Sequence, residues 1–159
     1  RLFCYRRFTI YDEAGQEMIR MLATFVLMDR DSRKVHGVEP EIVAPYQSEF
    51  DKKLIRGPKY ANLEDPISKD YHVRFYDLDM NGHVNNSKYL DWIFEAMGAD
   101  FLTNYIPKKI NLKYVKEVRP GGMIASAYEL KGLESKHQII SDGEINAQAM
   151  ITWQEIKKD

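Results

Sequence analysis

One stretch near the middle of the chain constrains the fold more than any other, because a polar loop leads directly into an amphipathic helix. The loop contains carboxylates, amides and a histidine, and its Asn81-Gly82 pair is typical of a tight turn. Asn85, Asn86 and Ser87 are all good N-cap residues, so a helix is predicted to start at one of them. Apolar residues then recur at helical spacing, at Leu90, Ile93, Phe94, Met97 and Phe101. This pattern predicts that polar side chains gather at the start of a buried helix.

Strand patterns surround this loop and helix. Alternating apolar and polar residues predict a strand over about 68–76, and the helix is predicted over about 86–103. Three or four strands are expected after the helix, with the clearest patterns near 110–115, 123–131 and 145–154. A long helix followed by antiparallel strands that wrap it indicates an α+β architecture.

The first part of the chain has a pattern of its own. A hairpin is predicted over residues 1–29. Its return strand, about 17–28, has apolar residues at both odd and even positions and is therefore expected to be buried on both faces. A short helix is predicted over 39–46, with Pro40 in its first turn.

The predicted domain organisation follows from a change of amino-acid composition in the middle of the chain. Residues 47–66 are rich in charges and turn formers, so they are predicted to be a linker between domains over 1–46 and 67–159. The spacing from Gly15 to Thr24 equals that from Gly143 to Thr152, which suggests a duplicated module. The first copy is then expected to be incomplete, without an opening strand and helix.

Composition excludes several classes of protein. The formal net charge of −1 argues against a general nucleic-acid binder, so no nucleic-acid partner is expected. No apolar run reaches the roughly 20 residues that cross a bilayer, so membrane insertion is not expected either. The single cysteine, Cys4, excludes an internal disulfide and suits a reducing compartment such as the cytoplasm.

The loop carries the residues best suited to chemistry. Asp79, Asn81 and His83 lie at positions i, i+2 and i+4. A carboxylate can act as a general base or a nucleophile, or it can orient an imidazole. A histidine can relay a proton near neutral pH, and an amide can orient a water or donate to an oxyanion. The backbone N–H groups at the helix start are suited to a developing negative oxygen. The alternative is a polar turn that only caps the helix, and spacing alone favours this alternative, because such turns are common.

Two further candidates are weaker. His83 with Asp77 and Asp79 would supply nitrogen and oxygen donors for a metal, but no second nearby histidine completes a recognised spacing, so no metal site is expected. Glu117 lies on the opposite parity from Leu112 and its apolar neighbours, which by pattern alone makes it a surface carboxylate on a strand.

The loop and helix start resemble the acyl-acyl carrier protein thioesterases, enzymes built from two tandem hotdog domains. The resemblance is carried by Asp77-Leu-Asp79-Met-Asn81-Gly-His83-Val-Asn85-Asn86, then Tyr89, Trp92 and Glu95. It continues through Leu112-Lys-Tyr114-Val-Lys-Glu117, His137 and Gly143-Glu144 to Trp153, and covers essentially the whole chain.

The resemblance implies a hotdog fold, in which an antiparallel sheet wraps a long helix, and it implies site residues in the second hotdog. The implied catalytic residues are Asp79, Asn81, His83 and Glu117. The implied substrate-binding residues are Asn85, Asn86, Ser87 and Tyr89. A role for Glu117 contradicts the parity argument, and a kink or bulge in the strand would reconcile the two. Plant members carry a cysteine directly after this glutamate, whereas this chain has Val118.

The implied function is hydrolysis of the thioester between a fatty acyl chain and the phosphopantetheine of acyl carrier protein, in fatty acid biosynthesis. Acyl carrier protein is the implied partner, no cofactor is expected, and a homodimer is one expected assembly. The cytoplasm is the expected location, with a plastid as the alternative. Two other functions are open: an acyl-CoA thioesterase of the same fold, and a non-catalytic acyl-binding hotdog.

Overall fold

The structure is a computed structural model that describes residues 2–157. Contacts divide the chain into two compact units, Arg1–Ile55 (unit 1) and Arg56–Asp159 (unit 2). The division between them falls within the predicted linker, 47–66. In the described part of the chain, no helix combines the length and the apolar character needed to span a membrane.

Unit 1 is a small antiparallel sheet followed by a short helix. Strand β1 (Phe3–Tyr11) pairs with β2 (Glu17–Met28), and β3 (Val35–His36) pairs with the end of β2. The predicted short helix is present as α1 (Pro40–Val43), which continues as a 3₁₀ turn over Ala44–Tyr46.

The expectation that the return strand is buried on both faces is wrong. Ten of the twelve residues of β2 are exposed and the other two are half-buried. A strand is buried on both faces only where a further layer covers each face of its sheet. In its described residues, unit 1 has three strands, a four-residue helix and a 3₁₀ turn, which is too little structure to form two such layers.

Unit 2 is a five-stranded antiparallel sheet around a helix, the arrangement expected of a hotdog fold. The strands are β4 (Ile67–His72), β5 (Tyr105–Tyr114), β6 (Met123–Lys131), β7 (Glu134–Ser141) and β8 (Glu144–Glu155), in the spatial order β4-β6-β7-β8-β5. The central helix is α2 (Asn86–Met97), followed by the short α3 (Ala99–Leu102). Four strands follow the helices, in agreement with the predicted three or four.

The core of unit 2 lies between α2 and one face of the sheet. On the helix, Ile93 and Ala96 have no solvent exposure, and on β8 the alternating residues from Ala147 to Trp153 are buried as their parity predicts. Phe94 of α2 packs edge-on against Trp153. Burying a large apolar side chain contributes about 1.5–3 kcal/mol, so this interface fixes the position of the helix start.

Two boundaries differ from their predictions. The strand predicted to reach residue 76 ends at His72, because the Asp77 carboxylate accepts a hydrogen bond from the Arg74 N–H and folds the chain into a 3₁₀ turn. The helix predicted to reach 103 ends at Met97, because Gly98 adopts φ 87° and interrupts it before α3.

Candidate active site

The loop between Leu78 and Val84 is closed by its own backbone and by one carboxylate. Leu78 and Val84 form an isolated antiparallel bridge, and the Asp79 N–H donates to the His83 carbonyl at 2.7 Å. The Asp79 carboxylate accepts from the backbone N–H groups of Asn81, at 2.8 Å, and His83, at 3.1 Å. Gly82, with φ 76°, supplies the tight turn that this closure requires.

These hydrogen bonds limit the capacity of the Asp79 carboxylate to accept a proton. The hydrogen bond from the His83 backbone N–H, with a second from Asn81, holds the pKa of the Asp79 carboxyl below its usual range. A carboxylate whose oxygen already accepts two N–H groups is a poor proton acceptor. Asp79 therefore organises the loop, as the polar-turn alternative expects of it.

Asp77 anchors the base of the loop. Its side chain is 1% exposed and accepts from the Arg74 backbone N–H at 2.7 Å, while its carbonyl accepts from the Asn85 N–H at 2.8 Å. The Asp77 carboxylate is thus committed to the 3₁₀ turn before the loop.

The helix start leaves one backbone donor available. Asn85 is the N-cap, and its side-chain oxygen accepts from the Ser87 N–H and the Ser87 hydroxyl, both at 2.9 Å. The Asn85 N–H is bonded to Asp77. Among the described residues, the Asn86 N–H has no acceptor, so it is the free donor at the positive end of a twelve-residue helix.

Glu117 follows β5, much later in the chain, and its carboxylate lies beside this loop. Its Oε1 lies 3.3 Å from Nδ1 of His83, and both side chains are about half exposed. The strand β5 ends at Tyr114, so Glu117 belongs to the irregular segment that follows it and strand parity does not apply. The prediction that Glu117 lies on a strand is therefore wrong, because β5 ends three residues before it, whereas its predicted exposure at the surface is confirmed.

A pocket of about 300 Å³ lies between these elements, and its lining includes five of the predicted site residues. It is lined by Asp79, His83, Val84, Asn85, Asn86 and Glu117. Three other predicted residues lie outside this lining. Asn81 is exposed on the loop, Ser87 serves the N-cap, and Tyr89 is only 3% exposed inside the core.

Two residues near the site have contacts that the sequence pattern did not indicate. The Tyr89 hydroxyl accepts from the Val118 N–H at 3.1 Å, and the Asn146 side-chain N–H donates to the Glu117 carbonyl at 3.2 Å. Asn146 appears in the sequence as an outward residue of the last strand. It is one of several polar residues that alternate with apolar ones along that strand, a pattern too common to identify a site.

The arrangement contains the groups needed for general acid–base chemistry on a carbonyl. An imidazole with a carboxylate at 3.3 Å can accept a proton and hold it. A free N–H at a helix start can stabilise a developing oxyanion. His83, Glu117 and Asn86 all line the same pocket.

Comparisons with known proteins give a consistent family assignment. The family model described as the acyl-ACP thioesterase C-terminal domain matches residues 60–155, and the model for the N-terminal domain matches residues 1–46. A chloroplastic palmitoyl-acyl carrier protein thioesterase of Arabidopsis thaliana is 24% identical over 149 residues, covering 89% of this chain and 36% of the relative. A chloroplastic acyl-[acyl-carrier-protein] hydrolase of Cuphea viscosissima is 32% identical over 114 residues, covering 65% of this chain and 27% of the relative.

Solved structures share the fold. A protein of Lactobacillus plantarum assigned as an oleoyl thioesterase matches with a TM-score of 0.91 and 32% identity, over 99% of this chain and 65% of that one. The 12:0-ACP thioesterase of Umbellularia californica matches with a TM-score of 0.83 and 21% identity, over 98% and 64%. The chain spans about a third of the length of the curated relatives it matches. The hotdog prediction is confirmed, and this chain belongs to the acyl-ACP thioesterase family.

Proposed function

We propose that this protein hydrolyses the thioester between a fatty acyl chain and the phosphopantetheine of acyl carrier protein, releasing a free fatty acid in fatty acid biosynthesis. The observation that carries the proposal is the His83–Glu117 pair, which lines the same pocket as Asn86, the first residue of α2. Membership of the family and the names of its relatives support the choice of acyl carrier protein.

The first proposed step is attack of water on the thioester carbonyl carbon. His83, held by Glu117, takes one proton from the water as its oxygen forms a bond to the carbon. The carbonyl oxygen becomes negative, and the Asn86 N–H at the helix start donates to it. Removing an oxyanion donor typically costs about 10²- to 10³-fold in rate, so this contact has a large share in the proposed mechanism.

The second proposed step is collapse of the tetrahedral intermediate. The carbon–sulfur bond breaks, the electron pair leaves with sulfur, and the protonated His83 returns its proton to the thiolate. The products are a carboxylic acid and the free thiol of the carrier. The reaction as proposed uses water and protein groups alone.

Between the two carboxylates, Glu117 is the one proposed to serve His83. The lowered pKa of Asp79 and its two backbone hydrogen bonds make it the weaker base. Asp79 and Asn81 are proposed to keep the loop in the conformation that presents His83. Asn85 and Ser87 are proposed to keep the helix start capped, so that the Asn86 N–H stays free for substrate.

Comparing hydrolysis of acyl carrier protein thioesters with that of acyl-CoA thioesters, at matched chain lengths, tests the proposal. Preferential turnover of the carrier-protein substrates is expected, with His83→Ala as the inactive control. Preference for acyl-CoA would replace the proposal with an acyl-CoA thioesterase. Binding of acyl substrate without any turnover would replace it with an acyl-binding module.

Proposals on location, assembly and domain limits accompany the proposed reaction. A reducing compartment is proposed, the cytoplasm or a plastid, since the chain has one cysteine and the plant relatives are named as chloroplastic. A homodimer is proposed as the assembly, and sedimentation velocity would test it. Residues 47–66 are proposed as the linker between 1–46 and 67–159, and limited proteolysis would test these limits.

A further inference from the structure

Glu117 lies on an irregular segment, yet its carboxylate is held beside His83. The strand before it ends at Tyr114, and its side chain is 57% exposed, so side-chain packing contributes little to its position. The exposed ion pair between Lys116 and Glu144 adds one contact, but such pairs typically contribute little. The backbone of the segment makes further contacts that hold it.

Asn146 makes three of these contacts from a bulge in β8. Ile139 pairs with Ala147 and Ile140 pairs with Ile145, so Asn146 is the extra residue of β8 and is left out of the ladder with β7. Its carbonyl accepts from the N–H groups of Val115, at 2.8 Å, and Lys116, at 3.1 Å.

The side chain of Asn146 continues the attachment. It is 2% exposed, its N–H donates to the Glu117 carbonyl at 3.2 Å, and its oxygen accepts from the Ser141 hydroxyl at 2.9 Å. Because the Glu117 carbonyl can only accept, the NH₂ end of the amide must face it, which leaves the oxygen for the Ser141 hydroxyl. A bulge that turns a strand residue toward a neighbouring segment is a recurrent device beside active sites.

Tyr89 holds the other side of the same peptide group. Its hydroxyl, on a 3% exposed side chain of α2, accepts from the Val118 N–H at 3.1 Å. Edge-on contacts with Trp92 and Tyr114 fix the ring. The carbonyl and the N–H of the Glu117–Val118 peptide are thus each bonded to a buried side chain, one from β8 and one from α2.

We propose that Asn146 and Tyr89 are positioning residues, which clamp the Glu117–Val118 peptide so that the Glu117 carboxylate stays beside His83. The inference rests on the proposed function and deepens it, because it names what places the second member of the pair. A displacement of about 1 Å in a catalytic group can cost about 10²-fold in rate, so a clamp on the backbone has a measurable effect.

The first test is a double-mutant cycle on thioesterase kinetics. Asn146→Ala is expected to lower kcat by about 10- to 100-fold with little change in KM, and Tyr89→Phe by about 10-fold. In a Glu117→Ala background, Asn146→Ala is expected to add less than about 2-fold, because the group it positions is gone. A full additive loss in that background overturns the proposal.

Two further variants separate positioning from stability. Ser126→Ala is the matched control, since Ser126 is fully buried in the same sheet and donates to the Trp92 carbonyl at 3.0 Å. It is expected to lower stability without lowering kcat. If Asn146→Ala does not fold, Asn146→Asp keeps the shape and the Ser141 contact but loses the donor to Glu117, and the same loss of kcat is expected.

The second test needs no substrate. Amide hydrogen exchange by NMR is expected to show a protected Val118 N–H that exchanges at least about tenfold faster in Tyr89→Phe and in Asn146→Asp, but not in Ser126→Ala. A Val118 N–H that is unprotected, or unchanged in both variants, overturns the clamp. If the unaltered protein hydrolyses no thioester, the proposed function fails while this measurement still decides the clamp.

Discussion

Two histidines of unit 2 have contrasting surroundings. His83 is about half exposed at a pocket, with the Glu117 carboxylate 3.3 Å from its Nδ1. His137 is 1% exposed in the core, with its Nε2 2.6 Å from the Ser135 hydroxyl, which in turn accepts from the Trp153 indole N–H at 2.7 Å. Within residues 2–157, Nδ1 of His137 has no hydrogen-bond partner.

The difference shows what makes a histidine useful for proton transfer. Burial lowers the pKa of His137 to about 4, so it stays neutral near pH 7 and its imidazolium would hold an N–H without an acceptor. His83 is open to solvent and lies within 3.3 Å of the Glu117 carboxylate, which is the arrangement expected of a proton-transfer group. His137 is a neutral part of the core.

Replacing His83 should therefore lower the rate of hydrolysis and leave the stability of the fold unchanged. His83→Ala is expected to lower kcat/KM by about 10²- to 10⁴-fold, because the positioned acid–base group is lost. Thermal unfolding should change little, since the side chain is half exposed. Turnover within a few-fold of the unaltered protein would show that His83 is not the proton-transfer group.

Glu117→Ala should have the next largest effect, about 10²-fold in kcat/KM, because His83 loses the carboxylate that holds it. Glu117→Gln is the matched variant, which keeps the shape and removes the charge, and it should be nearly as slow. Near-normal turnover in both variants would return Glu117 to the role of a surface carboxylate.

The sequence alone predicts the conformation of the loop, but it does not predict the position of Glu117. The loop is made by contacts between residues close in sequence, from Asp79 to His83 up to Asp77 to Asn85, so local turn and cap chemistry predicts it. The position of Glu117 depends on Asn146, 29 residues away, and on a bulge that alternation cannot show. The β2 prediction failed for a related reason, since apolar residues on both parities say nothing about which layers are present to cover them.

The core histidine should affect stability and its dependence on pH. With a pKa of about 4 in the fold against 6.5 when unfolded, only the unfolded chain binds the proton between these values. The stabilisation is complete above pH 6.5 and is lost as the pH falls toward 4, by up to about 3 kcal/mol. Denaturant unfolding of His137→Gln should show a flatter pH dependence over this range.

The matched control for that measurement is His72→Gln, which changes an exposed histidine of the same unit. Its pH dependence of unfolding should follow that of the unaltered protein. An unchanged slope in His137→Gln would mean that His137 has the same proton affinity in both states.

Turnover should depend on the shape of the Asp79 side chain more than on its charge. Asp79→Ala is expected to collapse turnover, because the loop loses the acceptor for two N–H groups. Asp79→Asn keeps an oxygen acceptor, so its kcat should stay within about 10-fold of the unaltered protein. If the Asn variant is as slow as the Ala variant, then Asp79 is the base and Glu117 has a supporting role.

The smallest effect is expected from the single thiol. Cys4 is a half-buried residue of unit 1, whereas the pocket residues all belong to unit 2. The position after Glu117, where plant members carry a cysteine, is Val118, which is 3% exposed and packs in the core. A side chain at that position points away from solvent, so it lacks the access that a reactive thiolate needs. Cys4→Ser should keep nearly full turnover. Loss of turnover in a folded Cys4→Ser protein would replace the carboxylate–histidine mechanism with a thiol mechanism.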